Sequence, residues 1–163
     1  MSLNDEVHML RCIPLFAQVE PAKLKLLAFT SERVAFDADH VLFAQGDPAN
    51  AAYIIVEGKA EVIVESDAGP VTVAVLGPND FFGEIAILCD SPRTATVRAQ
   101  TRLVTLRISK DLFFRLVKEF PQMAVAIMRE LAFRLEATND QLRIAHGEID
   151  RARRQISSVL SPP

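Results

Sequence analysis

The stretch Phe81–Ala99, FFGEIAILCDSPRTATVRA, decides how the rest of the chain is read. It opens with a glycine–glutamate pair, Gly83-Glu84, and continues through a short apolar run, Ile85–Leu88, suited to a brief helix. A turn at Asp90-Ser91-Pro92 leads to Arg93-Thr94, and a β-branched strand, Ala95–Val97, closes the stretch. A glycine running into a short helix lets backbone N–H groups converge on an anion, with the positive end of the helix aimed at it. An arginine close by adds a rigid fork able to grip phosphate through two hydrogen bonds. A carboxylate beside a phosphate is repelled, so Glu84 is expected to accept from a hydroxyl or to pair with Arg93. Phosphate and ribose hydroxyl on one short segment point to a nucleotide. The competing reading is a hairpin with a surface Glu84–Arg93 pair.

The spacing FGEIAIL, three residues, PRTATV resembles the phosphate-binding cassette of the cyclic-nucleotide-binding domains. That family includes the catabolite activator protein, regulatory subunits of cyclic-AMP-dependent kinases and cyclic-nucleotide-gated channels. The resemblance implies that Arg93 holds the exocyclic oxygens of the cyclic phosphate and that Glu84 takes the ribose 2′-hydroxyl. It further implies that backbone N–H groups near Gly83, Ile85 and Ala95 complete the cradle, with the Thr94 hydroxyl added.

Composition sets the outer bounds. A chain of 163 residues, half of them hydrophobic and a quarter charged, suits one soluble globular domain with a sizeable core. A formal charge of −3 supplies no basic field for nucleic acid and no polybasic membrane patch. No apolar run approaches bilayer length, and the N-terminus carries no signal-peptide pattern. Cys12 and Cys89 form no motif and read as reduced thiols of a cytoplasmic protein.

Working outward, residues 1–32 read as a helical lead. A short helix is expected over Asp5–Cys12, with Asn4 or Asp5 as its cap and Pro14 ending it. A second starts at Pro21 and places Leu24, Leu27 and Ala28 on one face. From residue 33 to 120 the pattern is mostly β. Val34–Phe36, Val41–Ala44, Tyr53–Val56, Ala60–Glu65, Val71–Leu76, Thr94–Ala99 and Leu103–Ile108 are short β-branched runs divided by Gly, Pro, Asp and Asn turns. Alternation is clear in Glu61–Glu65 and Val71–Val75. Such a series predicts a sandwich or closed barrel. The punctuation at Gln45-Gly46-Asp47 and Glu57-Gly58-Lys59 also resembles the family's β-roll, with glycines permitting left-handed turns. The same resemblance sets Val62 and Val73 on an apolar wall for base and sugar; plain core is the alternative for both.

After Ile108 the pattern turns helical. Ser109 is expected to cap a helix running through Glu119, and Pro121 to open the next. Beyond that proline only Gly147 interrupts, at a cost of about 1 kcal/mol against Ala. Met128, Leu135, Leu142, Ile149 and Ile156 recur every seven residues, joined by Leu131, Thr138, Ala145, Ala152 and Val159 three residues further on. This a/d pattern predicts a coiled coil and a parallel homodimer over residues 121–163; one long helix packed on its own barrel is the alternative. The run Leu131–Asn139, LAFRLEATN, resembles the family's long helix, which implies that Thr138 and Asn139 approach the base edge. Otherwise Thr138 is a polar d position that helps set register.

No phosphate-binding Gly-x4-Gly-Lys loop, His-Glu-x2-His or Gly-x-Ser-x-Gly occurs, and His8, His40 and His146 lack ligand spacing. Cys12 alone does not hold an iron–sulfur cluster. No enzyme activity, catalytic residue, metal or cofactor is expected. DNA-binding relatives carry a helix-turn-helix after the long helix; the sequence as given is expected to lack one, and no nucleic-acid partner is expected for this chain alone. The sequence names no downstream effector, and it fits a stand-alone sensor or a piece of a larger regulator, transporter or channel. The expected architecture is α+β: an antiparallel β-roll (a double-stranded β-helix, jelly-roll-like) with N-terminal helices and a long C-terminal coiled-coil helix. The expected role is a cyclic-nucleotide sensor, with cAMP favoured and cGMP the alternative ligand. A dimerisation module of the same fold that no longer binds nucleotide is the rival.

Overall fold

A computed structural model describes residues 2–160; Met1 and Ser161–Pro163, at the two ends of the sequence, lie outside the described residues. The chain forms two compact units, the second beginning at Val125.

In the first unit, α1 spans Leu3–Cys12, a single 3-10 turn spans Pro14–Phe16, and α2 spans Pro21–Thr30. The α1 cap is Ser2 rather than Asn4 or Asp5: its hydroxyl accepts from the Asp5 amide, and the Asp5 carboxylate accepts from the Ser2 amide at 2.7 Å. This reciprocal box satisfies two otherwise orphaned donors. Leu24, Leu27 and Ala28 are buried, as their shared face predicts. Arg33 closes an ion pair from the first strand back to Glu6 of α1 at 3.0 Å.

Eight strands follow: β1 Glu32–Phe36, β2 Val41–Phe43, β3 Ala51–Glu57, β4 Ala60–Ser66, β5 Gly69–Leu76, β6 Phe81–Phe82, β7 Thr96–Ala99 and β8 Leu103–Ser109. They make two antiparallel four-stranded sheets, ordered β1-β8-β3-β6 and β2-β7-β4-β5. Side chains alternate across each strand, so both sheets turn one apolar face inward. The core draws on both: Ala51, Tyr53, Ile55, Phe82 and Leu103 from the first sheet, Ala60, Val97 and Ala99 from the second. This is the α+β roll that the sequence predicts. Several strand ends shift by one or two residues from the expected runs, and two differences touch the stretch Phe81–Ala99. Phe81–Phe82 forms a short strand against Tyr53 and Ile54, and β7 begins at Thr96 because Thr94 and Ala95 lie in the bend after Arg93.

Helix α3 spans Glu84–Leu88, and α4 spans Lys110–Glu119 with Ser109 as N-cap, its hydroxyl accepting from the Leu112 amide at 3.3 Å. Helix α5 spans Pro121–Leu160 without a break, and Gly147 lies inside it. In the second unit the predicted a positions Met128, Leu135, Leu142, Ile149 and Ile156 are 49–61% exposed. Nothing in that helix can cover a stripe of this kind.

Candidate ligand-binding site

Residues 82–96 fold back on themselves in three steps. Gly83 takes φ +82°, a left-handed conformation that side chains with a Cβ resist, and starts α3 from there. A Cβ at this position would sit 2.8 Å from Arg93 Nη1 and 3.4 Å from the Ala51 carbonyl oxygen, so glycine is required by space as well as by φ. Helix α3 ends at Leu88, and Asp90 in the turn after it stands at φ +48°, with the Ser91 amide donating to the Ala86 carbonyl at 3.0 Å. Asp residues tolerate this conformation better than most, so the turn needs no glycine. Pro92 then returns the chain toward the roll.

Arg93 is pinned at its backbone by a reciprocal pair: its amide donates to the Asp47 carbonyl and its carbonyl accepts from the Gly46 amide, each at 2.8 Å. The loop providing those partners is itself locked. The Asp47 carboxylate accepts from the Ala44 amide, and the Thr96 hydroxyl accepts from the Gln45 amide, both at 2.9 Å.

The Arg93 side chain turns inward and is only 4% exposed. Nη1 donates to the Gly83 carbonyl at 2.8 Å and Nη2 to the Ala51 carbonyl at 2.7 Å. The guanidinium carbon lies 3.9 Å from the centre of the Phe43 ring. Nε is buried and makes no hydrogen bond. Burial lowers the Arg93 pKa, and the neighbouring Tyr53, Asp47 and Glu84 oppose that shift. A guanidinium stays protonated regardless, so a fixed positive charge sits inside an apolar, aromatic-walled roll.

The structure brings the cassette residues together. Gly83 caps α3, Glu84 is its first residue and is buried at 2% exposure, and Ile85 beside it is exposed. Thr94 is exposed and Ala95 half-buried in the bend after Arg93. Val62 is half-buried and packs on the core, in one cross-strand row with Val97 and Phe43. Val73 is not in that row. Pairing passes from Val62↔Ala74 to Ile63↔Thr72, which leaves Val73 as the extra residue of a β-bulge, 55% exposed. Thr138 and Asn139 belong to the helical unit and are exposed there; the Thr138 hydroxyl donates to the Arg134 carbonyl at 2.8 Å.

Sequence reasoning missed Phe43, Ala51, Tyr53 and Asp47, all of which surround or fix Arg93. Only Asp47 had a signal, as part of the Gln45-Gly46-Asp47 turn. No cluster of three or more His, Cys, Asp or Glu able to hold a metal occurs among the described residues. Chemically, the arrangement suits recognition of an anion that also carries hydroxyls.

Residues 33–120, just over half of the chain, match the family model of the cyclic nucleotide-binding domain. The chain belongs to that family. It is 30% identical over 129 residues to the CRP-like cAMP-activated global transcriptional regulator of Mycobacterium tuberculosis, covering 78% of this chain and 58% of that protein. It is 34% identical over 105 residues to the cAMP-dependent protein kinase regulatory subunit of Emericella nidulans, covering 64% of this chain and 25% of that subunit. Among solved structures, the Thermus thermophilus catabolite activator protein superposes with a TM-score of 0.75 at 27% identity, over 82% of this chain and 63% of that one. The chain therefore spans well under two thirds of the curated relatives it matches. No described helix is long and apolar enough to cross a membrane.

Proposed function

We propose that this chain is a cAMP-binding sensor whose ligand is held by the cassette and whose long helix pairs with that of a second copy. The observation that carries the reading is Arg93: a buried cation with an unpaired Nε, in the same cassette as the buried carboxylate Glu84, inside the stretch that matches the family model. In this reading Arg93 takes the exocyclic phosphate oxygens. Glu84 accepts from the ribose hydroxyl, and the amides near Gly83, Ile85 and Ala95 with the Thr94 hydroxyl complete the cradle. Val62 and Val73 flank base and sugar, and Thr138 and Asn139 meet the base edge once the helix closes. Ligand binding would shift the helix only as far as the closed state binds it better than the open one. The exposed a-position stripe of α5 supports the homodimer, and the unbridged, exposed Cys12 and Cys89 fit a cytoplasmic setting. The named relatives are regulators, and no catalytic role is assigned to any residue.

One observation favours the rival, a dimerisation module that no longer binds nucleotide: Nη1 and Nη2 of Arg93 already donate to protein carbonyls. Calorimetric titration of nucleotide-stripped protein with cAMP, and separately with cGMP, decides. Micromolar or tighter binding, one ligand per chain, supports the sensor, and the affinity ratio names its signal. No heat with either leaves the module.

A further inference from the structure

Phe43 ends β2, and pairing with Val97 of β7 sets its ring on the inner face of the roll. There it joins Tyr53 and Phe82, at ring-centre distances of 5.9 and 6.2 Å, while Tyr53 and Phe82 stack on each other at 5.4 Å. Phe82 immediately precedes Gly83, whose carbonyl accepts from Arg93 Nη1. The aromatic cluster therefore supports the start of α3 and the guanidinium together.

The Arg93 guanidinium carbon lies over the face of the Phe43 ring, 3.9 Å from its centre, and this matters for anion binding. A guanidinium presents its N–H donors in its own plane and only π density above and below. The ring attracts the cation through its π face and takes no N–H donor away from an oxygen acceptor. The Gly83 and Ala51 carbonyls fix two nitrogens, while Nε is buried and unpaired. The geometry points to Phe43 as the residue that positions Arg93 for its anion, by a cation–π contact that holds the guanidinium in place before ligand arrives. The inference rests on the cyclic-nucleotide reading above and adds to it a residue outside the cassette. A desolvated cation–π pair contributes more than an exposed one, and a fork already held in place loses less freedom on binding.

The test compares Phe43→Leu, which keeps an apolar side chain but removes the π face, with Phe43→Tyr, which restores it. Each is titrated with cAMP, alone and on an Arg93→Ala background, and the Arg93 Nε–H resonance is followed by NMR. The expected result is a loss of roughly 5- to 30-fold in affinity for Phe43→Leu, from the range of such pairs. Phe43→Tyr should stay within about threefold of wild type by the same scale. On Arg93→Ala, Phe43→Leu should cost nothing further, and in the single variant the Nε–H resonance should lose its ring-current shift. Wild-type binding with Phe43→Leu equally tight overturns the inference and leaves the sensor reading standing. An equal further loss on Arg93→Ala also overturns it, because packing alone would then explain the effect. Absence of cyclic-nucleotide binding by the wild type overturns both.

Discussion

Gly83→Ala separates two demands that the fold makes at one position. The first is conformational: Gly83 stands at φ +82°, and a residue with a Cβ held in that region loses about 1–2 kcal/mol. The second is steric. The added methyl would lie 2.8 Å from Arg93 Nη1, a separation that real Cβ contacts do not tolerate, so the guanidinium must withdraw. Withdrawal breaks the bond from Nη1 to the Gly83 carbonyl, a hydrogen bond from a charged donor worth about 1.5–3 kcal/mol. The fork cannot swing away freely, since Nη2 is held by Ala51 and the guanidinium carbon packs over the Phe43 ring. The two terms together amount to a loss of about 2.5–5 kcal/mol, a large share of the roughly 5–15 kcal/mol that a domain possesses. Gly46→Ala supplies the control: it stands at φ +90° with nothing within 4 Å of the place a Cβ would occupy, so it carries the conformational term alone. Urea unfolding of both variants followed by circular dichroism gives the difference directly. Gly83→Ala should be the less stable by at least the hydrogen-bond term. Equal losses within about 0.5 kcal/mol would refute the steric argument and reduce Gly83 to a turn residue.

Arg93→Ala removes the buried guanidinium of the site and should weaken cAMP binding by about 2–3 kcal/mol, near a hundredfold; calorimetry showing wild-type affinity would end the proposed mechanism. Leu142→Lys places a charge on the exposed α5 stripe and should turn the proposed dimer into monomer in sedimentation equilibrium, with the melting of the first unit unchanged; an unaltered mass would count against the coiled coil. Asp90 is held below its ordinary pKa of 3.8 by the hydrogen bond from Lys110, at 2.7 Å, and then by the charge of that lysine. A carboxyl depressed in the folded state stabilises above its unfolded pKa and loses that contribution as pH falls through the folded value. Lys110→Met should therefore raise the Asp90 titration toward 3.8 by NMR and weaken the acid sensitivity of folding below that pH; an unmoved Asp90 curve would refute the pairing.

Much of the fold was legible because its signals are local. Glu61–Glu65 alternates, and so does one face of it against the core: Val62 packs inward while Glu61 meets Arg98 in an ion pair. Ser109 and Pro121 punctuate the helices where the sequence places them. Phe81–Phe82 was not legible as a strand, because two residues have no period and their pairing with Tyr53 and Ile54 is a long-range event. The bulge at Val73 was hidden for a similar reason: strict alternation in Val71–Val75 implies regular pairing, and only the partner strand reveals the extra residue. In the site, Gly83, Glu84 and Arg93 stood out by chemistry and spacing. Phe43 and Ala51 did not, since an apolar strand residue and a backbone carbonyl carry no mark in a sequence. They reach Arg93 only through the folding of β2 and β3 beside the cassette.

The burial of Arg93 is itself an argument about what the residue is for. Taking a guanidinium out of water is expensive, and the two carbonyls and one ring that receive it recover part of that cost. A well-packed apolar side chain of similar size would fill the same space without the penalty, as replacements of buried charges by apolar residues in other proteins demonstrate. As a mere staple between Gly83 and Ala51, Arg93 is thus a poor solution, and its unpaired Nε makes it poorer. The same features become favourable when an anion supplies the missing partner. An oxygen accepting from Nε satisfies the orphan donor, and the low dielectric that made burial costly strengthens the new contact. The site therefore carries its strain where a phosphate would relieve it, which predicts that ligand raises the melting temperature of wild type and leaves that of Arg93→Ala nearly unmoved.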